Sequence, residues 1–226
     1  MKLTTILVAT AAMAASAPAM AQYFEGFEHG DWSGNWTYLS STVTPYNLTA
    51  GAARTGSFGA VMNGGGWWRS SDAAATISDG FSYEYYFRAG GGASIGRAYI
   101  GFTSDDLATQ AYTVIAAPNT GDLLIQDNSG FGFASMAASD PISWSETEFY
   151  RVAVSYSGGI ITAEAFDETG ASLAPAIMAD TGYTGGGTLL LRGFSNPHVD
   201  DISIIPAPAS LALLGLGGLM ASRRRR

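Results

Sequence analysis

The sequence predicts an all-β domain, an antiparallel sandwich, with an apolar segment at either end. Three observations point there. The segments that can be read alternate apolar and polar residues with period two, and no stretch carries an apolar stripe at helical spacing. Glycine runs and Asp/Gly turn signals separate these segments. Charged residues make up only 13% of the chain against 47% hydrophobic, with 29 glycines, which suits short strands and tight turns better than surface helices.

The elements follow in order. A first strand is expected at 23–28 and a second at 57–63, before Gly64, Gly65 and Gly66. In FSYEYYFR, Phe81, Tyr83, Tyr85 and Phe87 share one face, and Ser82, Glu84, Tyr86 and Arg88 the other. After glycines at 90–92, strands are expected at 97–103, 111–117 and 122–127. In YRVAVSY, Tyr150, Val152, Val154 and Tyr156 oppose Arg151, Ala153 and Ser155. Gly158-Gly159 then signals a tight hairpin turn into IITAEAF. Asp167-Glu168-Thr169-Gly170 makes another turn. Glycines at 185–187 precede the last strands, 188–194 and 199–205.

The two ends read differently. MKLTTILVATAAMAASAPAMAQ has a positive start at Lys2, an apolar run and Ala19-Met20-Ala21, the parts of a secretory signal peptide with cleavage expected after Ala21. An N-terminal membrane anchor is the alternative. At the other end, Ala209 to Ser222 carry no charge. As a helix they would span only about 21 Å, against a bilayer core of about 30 Å. Gly215, Gly217 and Gly218 weaken that helix further, and Pro206 and Pro208 bar regular helix upstream. Arg223, Arg224, Arg225 and Arg226 are expected to stay cytoplasmic. The chain thus divides into a leader at 1–21, a body at 22–204 and a tail at 205–226.

Lys2 and the four terminal arginines leave with the ends. The body keeps six basic residues and all 19 acids, a formal charge of −13. Such a surface repels phosphate backbones, so nucleic acid is not an expected partner. With no cysteine, thiol catalysis, disulfides and Cys-ligated zinc are excluded.

Proline-flanked site, short apolar segment and basic end together resemble the PEP-CTERM sorting signal, which implies an exosortase-like processing enzyme as partner. The motif here is Pro206-Ala207-Pro208 followed by Ala209, without the usual glutamate between the prolines. The resemblance implies export by signal peptidase, transient anchoring in the inner membrane and delivery to the cell envelope or outside. A plain C-terminal anchor is the alternative. The body, through FEGFEHGDWSGNW, WSETEFYRVAVSYSGGIITAEAFDETG and LLLRGFSNPHVDDISI, resembles concanavalin A-like lectin/glucanase jelly rolls. A carbohydrate-binding-module sandwich is the rival within the same architecture.

That resemblance implies either a non-catalytic surface or matrix protein able to bind extracellular polysaccharide, or a glycan-cleaving enzyme. Glycosidases need two carboxyl groups flanking the scissile bond, about 5–9.5 Å apart. Glu164-Ala165-Phe166-Asp167-Glu168 is the nearest run, but its spacing differs from the Glu-x-Asp-x-x-Glu pattern of these glucanases, and no catalytic residue is assigned. His29 and His198 stand without a nucleophile motif beside them. Glycan binding would use exposed aromatics, and Trp67, Trp68, Tyr86 and Tyr99 are the candidates. Of the adjacent pair Trp67 and Trp68, a strand would bury one and expose the other. A structural Ca2+ is the one cofactor to consider. If first and last strands lie together, Glu25, Glu28 and Asp31 approach Asp200 and Asp201, an oxygen-rich set.

Overall fold

The computed structural model describes residues 21–32, 34–41, 44–90 and 96–206. Residues 1–20 of the expected leader and the tail from Ala207 onward lie outside them, so Pro206 is the one sorting-motif residue inside. Sixteen strands are described: β1 (Tyr23–Glu25), β2 (Trp36–Ser40), β3 (Asn47–Thr49), β4 (Gly59–Val61), β5 (Trp67–Ser70), β6 (Thr76–Ile77), β7 (Ser82–Arg88), β8 (Arg97–Thr103), β9 (Ala111–Ala117), β10 (Asp122–Asp127), β11 (Ala134–Ala138), β12 (Tyr150–Ser157), β13 (Ile160–Phe166), β14 (Ile177–Asp180), β15 (Gly187–Phe194) and β16 (His198–Ile205). Two three-residue 3-10 turns, Ala50–Ala52 and Ser129–Phe131, are the helical pieces among the described residues. No helix among them is long and apolar enough to cross a membrane.

The strands form two antiparallel sheets packed face to face. Sheet 1 runs β14-β13-β12-β7-β16-β4-β3, with β1 also on β16. Sheet 2 runs β11-β10-β9-β8-β15-β5-β2, with β6 also on β15. The fold is the predicted antiparallel sandwich. β7 and β12 pair so that Tyr83, Tyr85 and Phe87 oppose Val154, Val152 and Tyr150, all buried. A slip of one residue would turn that whole set to solvent, which fixes the register. The Tyr83 and Tyr85 hydroxyls cross the core and donate to the Ile100 and Val114 carbonyls of sheet 2, at 3.0 and 3.3 Å. Burial pushes both phenols well above their ordinary range. The β12–β13 turn has Gly158 and Gly159 at φ 61° and 79°, the left-handed pair of a two-residue hairpin loop.

Sheet 2 differs from a one-sided sheet. β9 is buried at every residue and β8 at all but Arg97. The cause is a second apolar layer on its outer face. The loop after β8 and the segment after β10 fold over Tyr99, Ile115, Leu124 and Leu190, adding Ala108 and Phe131. Asn128 locks the later segment down. Its amide oxygen accepts from the Thr113 hydroxyl at 2.6 Å, and its amide nitrogen donates to Gly132 O at 2.7 Å.

β16 carries a bulge between Asp200 and Ser203, with Asp201 at φ 49°. Before it β16 pairs with β4, and after it with β1, Glu25 facing Ile202. The expected neighbourhood of first and last strands is present.

Candidate functional site

The four aromatic candidates part company in the structure. Trp68 points between the sheets, edge-on to Trp32 with ring centroids 5.8 Å apart. Trp67 points to the outer face of sheet 2, yet is only 1% exposed, against 5% for Trp68. The expectation that one of the pair is exposed is therefore corrected: both are buried, because the segment after β10 roofs the outer face. Tyr99, also outward, is 4% exposed for the same reason. Tyr86 lies on the opposite side of the sandwich, where the Arg54 guanidinium sits 3.4 Å above its ring.

Trp67 and Tyr99 do come together, and they form the floor of something the sequence did not single out. Strand register puts Trp67, Arg192, Tyr99 and Ile115 in one row across β5, β15, β8 and β9. In the next row Phe194 faces Arg97. Phe133, from the segment after β10, stacks on Trp67 at 5.9 Å. The Arg192 guanidinium lies 5.5, 5.0 and 4.8 Å from the Trp67, Tyr99 and Phe133 rings. Arg97 donates to Asn119 Oδ1 at 2.8 Å, and Arg192 Nε to the Gly65 carbonyl at 3.1 Å. The result is a shallow cradle of 280 Å³ lined by Arg97, Tyr99, Asn119, Phe133, Arg192 and Phe194. Its rims are half-exposed rings, Phe133 at 53% with one side on Trp67 and Arg192, and Phe194 at 50%.

Such a cradle can stack a flat apolar face and hydrogen-bond the groups around it. Its backbone is held by a close approach at Gly193, where a Cβ would stand 2.0 Å from the Met62 Cβ. Phe133 and Phe194 escape sequence reading because each lies at a segment end, outside any alternating run. The signal that could have found them is the surplus of aromatic and arginine residues facing outward on β5, β8 and β15.

The outer face of sheet 1 holds larger depressions of 340 and 410 Å³, but its groups are spoken for. Arg151 pairs with Glu84 at 3.2 Å and lies 4.2 Å over the Phe166 ring. Arg54 covers Tyr86, so that face offers no open ring among these pairs. Glu84 and Glu164 both face Ala153 in register, one on either side. Asp167 sits in its turn, accepting from the Thr169 hydroxyl at 2.7 Å and from the Ala171 and Thr169 amides at 2.9 and 2.8 Å, and these bonds, the hydroxyl's first, hold its carboxyl below the usual range.

The calcium candidates are engaged by protein donors. Asp200 Oδ2 accepts the Arg54 and Thr55 amides at 2.7 and 3.2 Å, and its Oδ1 the Asp201 amide at 2.8 Å. Asp201 accepts from the Arg54 guanidinium and the Thr55 hydroxyl, both at 2.7 Å. Glu25 accepts from the Tyr23 hydroxyl and the Phe27 amide, and Glu28 from the Ser57 and Phe58 amides. Asp31 is exposed, its carbonyl 2.6 Å from the His29 ring. Among the described residues no three His, Asp or Glu side chains are arranged to hold a metal ion. N–H and O–H donors, one of them cationic, fill the place of a cation, so these acids do not fit a calcium cage.

No family model matches the chain, and no curated protein matches it. Among solved structures it is similar to a Bacillus subtilis protein of unknown function with a galectin-like fold, at TM-score 0.58 and 12% identity over 83% of this chain and 96% of that one. It is similar to the carbohydrate-binding module CBM66 from Bacillus subtilis, at TM-score 0.56 and 15% identity over 76% and 95%. It is also similar to a prokaryotic β-1,3-1,4-glucanase (lichenase) derived from a mouse hindgut metagenome, at 0.51 and 11% over 82% and 98%. At these identities the likeness establishes the fold, a galectin- and concanavalin A-like jelly roll.

Proposed function

We propose that the protein is an exported, non-catalytic glycan-binding protein of the cell surface or extracellular matrix, and that the cradle on sheet 2 is its binding site. One observation carries this reading: Phe133 and Phe194 are half-exposed rings flanking Arg97 and Arg192 on a rigid sheet. Aromatic faces beside a few fixed polar groups are the chemistry of saccharide recognition. That a structural neighbour is a carbohydrate-binding module supports it. Export rests on the Ala19-Met20-Ala21 leader pattern. Retention followed by processing rests on the Pro206-to-Arg226 tail, with signal peptidase and an exosortase-like enzyme as processing partners. No part of the reading runs through calcium.

The test is titration of the protein with neutral and acidic oligosaccharides, followed by tryptophan fluorescence and calorimetry. Binding that weakens in Phe133→Ala and Phe194→Ala supports the cradle. No response to any glycan at millimolar concentration overturns it. A glycan-cleaving activity is the second reading, favoured by Glu84 and Glu164 flanking Ala153 on the open face of sheet 1. Release of reducing sugar, abolished by Glu84→Gln or Glu164→Gln, would put that reading first.

A further inference from the structure

We infer that the cradle selects an acidic saccharide, a uronate unit whose carboxylate is gripped by Arg97 and Arg192. This rests on the glycan-binding reading and narrows it. The chain is acidic, with formal charge −8, and every one of its 19 aspartates and glutamates lies among the described residues. Their ion pairs take Arg54, Arg69 and Arg151, while Arg88 is spent on His198 and the Gly51 carbonyl. Arg97 and Arg192 have no carboxylate partner there. Each spends one N–H on a neutral oxygen, Asn119 Oδ1 or the Gly65 carbonyl, and the terminal nitrogens of both have no acceptor among the described residues. An acidic domain that leaves two guanidinium groups unpaired in one depression, while acids are in surplus, holds a local site of opposite sign.

The geometry suits one carboxylate. Arg97 faces Phe194 and Arg192 faces Tyr99, so the two arginines are diagonal neighbours on adjacent strands. Diagonal positions lie about 7–8 Å apart, within convergence of two long side chains. A guanidinium fork matches a carboxylate bidentately, and such charge-assisted bonds are about twice as strong as neutral ones. Phe133 and Phe194 then flank the sugar ring that bears the acid. The surrounding negative surface opposes dense polyanions, which limits the contact to a local one and makes it salt-sensitive.

The experiment compares three probes on the full chain at low salt: oligogalacturonate, its methyl ester and a neutral galactan oligosaccharide. The ester keeps the ring and removes the charge. The acid is expected to bind at least about tenfold more tightly than the ester. Arg97→Gln, with its melting temperature checked against wild type, is expected to abolish that preference. Phe133→Ala is expected to weaken acid and ester alike, because stacking does not read charge. Equal binding of acid and ester overturns the acidic ligand and leaves the glycan reading standing. Binding of none of the three overturns both. An acid preference that survives Arg97→Gln and Arg192→Gln overturns this site.

Discussion

Arg192 is ringed by Trp67, Tyr99 and Phe133, so its guanidinium is a fixed charge rather than a sweeping one. Pre-organised groups lose little entropy on binding, which places the energetic weight of the cradle on its rings and arginines. Phe194→Ala is expected to weaken glycan binding about two- to tenfold, the usual worth of an aromatic contact, with no change in melting temperature, since that ring is half in solvent. Asp200 makes a different prediction. It is fully buried, and burial lifts its carboxyl to about 6 despite the Arg54, Asp201 and Thr55 amides. The unfolded chain titrates at the ordinary 3.8, so the folded state holds this proton more tightly. The stabilisation is full below that value and is lost as pH rises through about 6. His198 acts in the opposite sense. Burial and Arg88 lower its pKa, so its contribution is present above 6.5 and lost on acidification. Asp200→Asn separates the two. Between pH 7.5 and 5, urea titration should show wild type gaining about 1–2 kcal/mol relative to the variant.

At the scale of elements, the segment after β10 is what turns a sheet face into a site. Asn128 pins it from a buried position, bonding Thr113 beneath and Gly132 beyond. Asn128→Ala is expected to cost about 1–3 kcal/mol by leaving the Thr113 hydroxyl unpaired. It should also weaken glycan binding, because Phe133 belongs to the freed segment; denaturant and ligand titrations of one preparation check both. Gly193→Ala should cost about 3 kcal/mol, since the added methyl meets Met62. The strands legible in the sequence were the longer ones, some with one clean face and some bounded by turn signals on either side. β7 and β12 alternate without a break, and β8, β9 and β10 have the predicted limits. β2, β3, β5, β6, β11 and β14 were not anticipated as strands, because two to five residues offer too few alternations to count. Trp67 and Tyr99 were named without their setting. Their partners Phe133 and Phe194 come from distant segments joined only by folding, and local pattern carries no record of that.

At the scale of the whole molecule, the two-sheet core and the Arg54 contacts with β16 hold the described residues together, and Arg54 and Thr55 already engage the Asp200 and Asp201 carboxylates. Chelation is therefore expected to leave the melting temperature unchanged, and calcium titration to produce no heat of binding; a chelation-induced fall would restore a cation to the Asp200–Asp201 region. Processing has its own measurement. Intact mass of material from the parent cells should show loss of residues 1–21 and cleavage near Pro206-Ala207-Pro208, whereas loss of the leader alone would mean a plain anchor. The direction of β16 adds a spatial consequence. Phe194 ends β15, and the turn after it leads into His198, the first residue of β16, while Ile205 closes that strand. Eight residues of strand separate those ends by about 23 Å. Phe194 and the cradle it borders therefore sit at the opposite end of the sandwich from Ile205.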